Sequence, residues 1–219
     1  MPLETFTLKG LDVSIRIKGQ FGDTSGAQVS DDAILRWIND AQREIVNHNY
    51  LLRDTKYADI VKGQHDYAFP EDRVLAIEAL YVNGYPINAV SVQQAREFVL
   101  NNDPTMGRSS DDAAVWYERA GIITIYPTPA ANITNGLKIE FLKTPVALAS
   151  LNDTLGIPDR YFNELVQYVL AQAMEMDENF SAASVKMSQF RDGLNRLSYK
   201  ENQNQTDLYY TVTPDPEDF

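Results

Sequence analysis

The apolar residues of this chain change their spacing twice, and that sets the architecture. From Ser30 to Tyr50 (SDDAILRWINDAQREIVNHNY), Ile34, Leu35, Ile38, Ala41, Ile45 and Val46 recur at three and four residues, along one face of a helix of about five turns. Ser30 or Asp31 can cap its first turn, and Asp31 and Asp32 both suit the positive end of its dipole. Trp37 falls at the edge of the stripe, with Asn39, Gln42, Arg43 and Asn47 on the polar side. After Tyr50 the period drops to two for about ninety residues, with one helical interruption, and past Ile157 helical spacing returns.

The middle stretch reads as strands joined by tight turns. Lys56 to Val61 and Tyr67 to Phe69 flank a turn at Lys62-Gly63. Arg73 to Val82 runs into Asn83-Gly84 and then Tyr85 to Asn88, and Asn-Gly between two such runs is a strong hairpin signal. Pro86 suggests that this second strand lies at a sheet edge. Ser91-Val-Gln-Gln94 reads as a capping box opening a short helix to about Asn101. A polar loop, 101–112, precedes a second hairpin, Ala114 to Arg119 and Ile122 to Tyr126 around Ala120-Gly121. Leu137 to Lys143 supplies a last strand, with Leu137, Ile139 and Phe141 on one face.

Ile157-Pro158 starts the helical return, since proline suits a first helical position. Tyr161, Phe162, Leu165, Val166, Val169, Leu170, Ala173 and Met174 make one broad stripe. Phe180 opens a further helix, in which Ala183, Met187, Phe190, Leu194 and Leu197 step by four, three, four and three, a heptad-like spacing suited to packing along a neighbour. At the other end, Leu11 to Lys18 alternates like a strand yet also fits a short helix, and the period does not separate the two. The expected fold is α+β: a bundle of N- and C-terminal helices (21–54 and 146–200), an inserted small antiparallel β module (55–145), an unplaced segment 1–20, and an extended C-terminal arm (201–219).

With 219 residues, 44% hydrophobic and 23% charged, the chain is large enough to need no covalent staple. It has no cysteine, so disulfides and thiolate chemistry are excluded, which fits a reducing compartment. No apolar run reaches the roughly 18 residues of a membrane span, and no secretory leader is evident, so a soluble protein that stays where it is made is expected. The net charge of −12 argues against general nucleic-acid binding, which needs surplus Lys and Arg, and permits a surface that repels DNA; solubility alone also explains it.

The residues that carry chemistry are sparse. His48 and His65 sit at a helix end and in a turn, with no second histidine at ligand spacing. No phosphate-cradling glycine loop is present, and Glu164, Glu175 and Glu178 lack the Glu-x-x-His pair of a carboxylate metal site. Asp31-Asp32 reads as a helix start and Asp111-Asp112 as loop rather than as acid–base pairs. No catalytic residue, metal ligand or cofactor site is expected. The arm is different: Leu208, Tyr209, Tyr210 and Phe219 are apolar anchors in a polar stretch, the pattern of a peptide that orders on a partner.

Four stretches, in order, carry a family resemblance. Phe21-Gly-Asp-Thr-Ser-Gly-Ala-Gln-Val-Ser-Asp-Asp-Ala-Ile-Leu-Arg-Trp-Ile-Asn-Asp-Ala-Gln-Arg-Glu-Ile45, Gly63-Gln-His-Asp-Tyr-Ala-Phe-Pro70, Ile125-Tyr-Pro-Thr-Pro129, and Ile157-Pro158 with the two helices ending Phe190…Leu194 resemble the head-to-tail connector (adaptor) proteins of tailed bacteriophages, particularly short-tailed ones. The resemblance spans about residues 21–197 and implies a non-enzymatic virion protein of the neck, made in the host cytoplasm. It implies a homo-oligomeric ring, typically dodecameric, beneath the portal protein, with double-stranded DNA passing through unread and a tail or nozzle protein attached below. It further implies a subunit interface on the C-terminal helices, where Arg191, Arg196 and Lys200 would meet acids of the next copy, and a portal clamp in the arm. The competing expectation is a monomeric or tail-associated module binding saccharide or peptide around Tyr81, Tyr85, Trp116 or Tyr117.

Overall fold

The computed structural model describes residues 7–23, 28–69, 73–101 and 114–206. They divide into two compact units, one of residues 1–51 with 145–219 and one of 52–144.

The first unit is helical. Helix α1 (Gly10–Phe21) settles the ambiguous N-terminal stretch: the Asp12 carboxylate accepts the Lys9 backbone N–H at 2.8 Å at its start, and Gly22, at φ 67°, closes its end. Val13 and Ile17 are fully buried, so the alternation that resembled a strand is a helix with apolar residues on two faces. Helix α2 (Asp31–Asn49) is capped by Ser30, whose Oγ accepts from Ala33 N at 3.3 Å. Its buried stripe is Ala33, Ile34, Ile38, Ala41, Ile45 and Val46. Gln42, expected on the polar side, is fully buried: its Oε1 accepts from Gly156 N at 2.5 Å. Asn39 works beside it, donating to Leu148 O at 3.1 Å and accepting from Leu148 N at 2.7 Å. The two amides thus satisfy backbone groups of Leu148 and Gly156 in the 145–157 connection, which belongs to no strand.

The same connection ties down the N-terminus. Gly10 N donates to Asp153 O, Leu155 N donates to Leu8 O, and Thr7 and Leu8 donate to the Asp159 carboxylate. Residues 7–9, expected to stay unplaced, are thereby part of this unit. After a 3-10 turn at Asp159–Tyr161, helix α4 (Phe162–Met176) buries Leu165, Val166, Val169, Leu170 and Ala173. Helix α5 (Phe180–Thr206) returns along α4, with Ala183, Phe190 and Leu194 buried in the seam and Phe190 edge-on to Tyr168 at 5.2 Å. Each buried aliphatic side chain contributes about 1.5–3 kcal/mol. The helix runs to Thr206, past the boundary at 200 expected for the bundle, with Glu201, Gln203 and Gln205 as helix formers in its last turns.

The second unit is one seven-stranded sheet in the order β1-β7-β3-β4-β5-β6-β2. The strands are β1 (Arg53–Ile60), β2 (Asp66–Ala68), β3 (Val74–Val82), β4 (Tyr85–Ala89), β5 (Val115–Arg119), β6 (Ile122–Tyr126) and β7 (Ile133–Lys143). Both hairpins have the expected turns, with Asn83 and Gly84 at φ 51° and 85°, and Ala120 and Gly121 at 53° and 77°. The sheet is mixed rather than antiparallel, because β4 and β5 pair in parallel, and the segment holding α3 (Val92–Asn101) is the crossover such a pair needs. Its capping box is complete: Ser91 N donates to Gln94 Oε1 and Gln94 N to Ser91 Oγ.

The strand that holds Pro86, β4, is not an edge strand, since it lies between β3 and β5. Pro86 stands opposite Tyr81 of β3, next to the turn-closing pair Val82–Tyr85, so its ring nitrogen points away from β3. On that side β5 pairs only from Asn88, and the absent N–H costs no ladder bond. One core, Ile60, Tyr67, Leu80, Trp116, Ile123, Ile125, Leu137, Ile139 and Phe141, draws on both ends of the strand order. Phe69 meets Phe141 edge-on at 5.1 Å, so the sheet curls around its own core.

Candidate functional site

Asp31 turns to Lys18 at 2.7 Å and to the Ser14 hydroxyl, and the Lys18 ammonium holds its carboxyl below the usual carboxylate range. His48 is exposed and bonded to Asn49; His65 is exposed, stacked on Tyr126 at 5.9 Å, with Asp66 at 3.4 Å. Glu164 is buried, whereas Glu175 and Glu178 are exposed at the far end of α4. Asp111 and Asp112 lie outside the described residues, among which no three His, Asp or Glu side chains are grouped to hold a metal ion.

The aromatic residues of the sheet are not gathered into one pocket. Trp116 faces the core, 5% exposed, and donates its Nε1–H to Ile87 O at 3.1 Å. Tyr117 stacks with Tyr126, 6.4 Å between centroids, and burial pushes the Tyr126 hydroxyl pKa up. Tyr85 is exposed beside its hairpin turn. On the outer face, Tyr57, Lys138 and Tyr81 stand in one row across β1, β7 and β3. Lys138 Nζ lies 4.5 Å from the Tyr81 ring centroid and 2.5 Å from Glu140 Oε1. That contact raises the Lys138 pKa and lowers the Glu140 pKa. A ligand site at Trp116 therefore gains nothing from this geometry.

What remains is surface. Arg191 and Arg196 are both exposed on α5, and Lys200 stands a turn further along the same helix. Leu208, Tyr209, Tyr210 and Phe219 lie outside the described residues.

Two apolar patches escaped the sequence reading. On α1, Leu11 and Ile15 are exposed at 42% and 63%, one turn apart, and Gly19 continues their line. Around the α4–α5 turn, Met176, Phe180 and Val185 are exposed at 49%, 64% and 54%. The α1 patch had a signal: Leu11-x-Val13-x-Ile15-x-Ile17 in a helix puts the first and third residues on one face and the second and fourth on another. A helix apolar on two faces has two sides to cover, and among the described residues only the Val13 and Ile17 side is covered.

The model of one protein family, described as SU10 adaptor protein, matches residues 8–215, which takes in both units and the start of the arm. No curated protein matches the chain.

Proposed function

Because the chain belongs to the SU10 adaptor protein family, and so is a phage adaptor protein of the virion, we propose that it assembles into a ring beneath the portal. The ring, of about twelve copies on the family's habit, lengthens the channel through which DNA passes and presents the surface to which the tail or nozzle attaches. The observation that carries this reading is the family match across residues 8–215, both units in sequence order. The net charge of −12 supports it physically, since a conduit must let the phosphate backbone slide rather than hold it.

In this reading the chain turns over no substrate and uses no cofactor. Exposed Arg191 and Arg196 of α5, with Lys200 a turn further along the helix, lie against acids of the next copy, and the arm carrying Leu208, Tyr209, Tyr210 and Phe219 orders on the portal. Light-scattering mass and negative-stain imaging of the protein, alone and mixed with its portal, test it. Rings in either sample are the expected result. A strict monomer that ignores the portal would overturn the assignment.

A further inference from the structure

We propose that the helical unit carries both halves of a head-to-tail self-interface, in which the outer face of α1 receives the α4–α5 turn of a second copy. The inference rests on the ring reading and names its contact.

Three observations select these two surfaces for each other. Both are apolar and, among the described residues, uncovered: Leu11 and Ile15 on α1, and Met176, Phe180 and Val185 at the turn. Both are charged at the rim, with opposite balance. Beside the α1 patch stand exposed Lys9, Asp12 and Arg16, two cations to one acid, and around the turn stand exposed Glu175, Asp177 and Glu178. Among the described residues Lys9 and these three acids form no ion pair, and Arg16 rests on the Phe162 ring, 5.7 Å from its centroid. A dry apolar centre within a complementary charged rim is the anatomy of a protein interface.

Gly19 is the third observation. It lies inside α1, where glycine costs about 1 kcal/mol against alanine, and a Cβ there would meet nothing within 4 Å. Among the described residues nothing crowds it. A bare backbone one turn beyond Ile15 lets a neighbouring chain approach closely, which a second copy would use.

The geometry keeps the two patches of one chain from meeting each other. Arg16 places α1 at the start of α4, beside Phe162, while Phe180 lies beyond the end of α4. Fifteen helical residues separate those ends by about 22 Å. Two different patches on one chain make a heterologous contact, and a heterologous contact with the right rotation closes into a ring.

The chain has no cysteine, so single introduced thiols report proximity cleanly. Full-length Ile15→Cys and full-length Phe180→Cys, both at exposed positions, are mixed and oxidised, with Tyr85→Cys as an exposed control. The expected result is a 15–180 disulfide formed at least tenfold faster than 15–15, 180–180 or any pair with Cys at 85. Statistical pairing, or faster like-with-like pairing, would overturn the inference. Ile15→Asp and Phe180→Asp give an independent reading: each blocks self-association alone, and the two mixed form a 1:1 heterodimer, because one intact α1 face and one intact turn remain. Rings that assemble without the 15–180 pair defeat this contact and leave the adaptor reading standing; a preferred 15–180 disulfide in a protein that never engages a portal does the reverse.

Discussion

Asn39 and Leu148 bond to each other twice: the Asn39 side-chain amide donates to the Leu148 carbonyl at 3.1 Å and accepts the Leu148 backbone N–H at 2.7 Å. A helix side chain here takes the place of a paired strand for a segment 109 residues away. Asn39→Ala strands both backbone groups of a buried residue, at a cost of about 1–3 kcal/mol. Asn39→Asp keeps the acceptor and loses the donor, and falls between. Urea denaturation gives the order wild type, Asp, Ala; an alanine variant as stable as wild type would show that the connection is held elsewhere.

Gly193 permits the close approach of α5 to α4. A Cβ there would stand 2.8 Å from Glu164 Cγ and from its Oε1. Gly193→Ala therefore destabilises the hairpin despite its better helix propensity, by about 1–3 kcal/mol, as overpacked cores do. Glu164→Ala combined with it removes the obstruction, and a double-mutant cycle by thermal denaturation should return a positive coupling.

Gly19→Ala has the opposite sign. With a helical φ and open space around its Cβ, the substitution shortens the unfolded ensemble and clashes with nothing, so the isolated chain gains about 0.4–1 kcal/mol. Gly19→Gln leaves folding near wild type but obstructs the α1 face, and the mass of the assembled species should fall while the melting temperature does not.

How much of this was legible in the sequence follows from how local each signal is. Ser30, Ser91 to Gln94, and the two glycine turns are contacts within four residues, and each formed as its spacing predicted. Gln42 was misplaced because a polar residue becomes buried only when a distant backbone, here Gly156, comes to it. The parallel β4–β5 pair was hidden for the same reason: strand order is a property of non-local pairing, and alternation is identical in both orientations. The α1 face stayed hidden because the spacing left strand and helix open: over eight residues an alternating run and a two-faced helix look alike. The aromatic arm beyond Thr206 has no described neighbours, so its anchors rest on sequence alone.

Acid should act on the joint between α1 and α2. The Asp31 carboxyl is held low by Lys18, so its unfolded form binds a proton more readily than its folded form. Its contribution is present above the unfolded value near pH 4 and is lost as pH falls through the lower folded value. The pair is exposed on the aspartate side, so its share is about 0–1 kcal/mol. Asp31→Asn lowers stability slightly at neutral pH and by less as the pH falls below about 4; an equal loss across that range would show that the carboxylate charge is not what stabilises the joint.

Salt separates the two kinds of contact that the assembly is proposed to use. Arg191 and Arg196 are exposed, and pairs of exposed charges contribute about 0–1 kcal/mol each and are screened within about 3 Å at 1 M salt. The apolar surfaces of Leu11, Ile15, Phe180 and Val185 respond in the other direction, because excluded salts such as sulfate strengthen apolar burial. Raising sodium chloride to 1 M should slow ring assembly and leave formed rings intact, and sulfate at equal ionic strength should stabilise them. Arg191→Glu with Arg196→Glu should reproduce the slower assembly at low salt without dissolving the ring. Complete dissolution of rings by sodium chloride would put the binding energy in the arginine face and leave the apolar patches without a role.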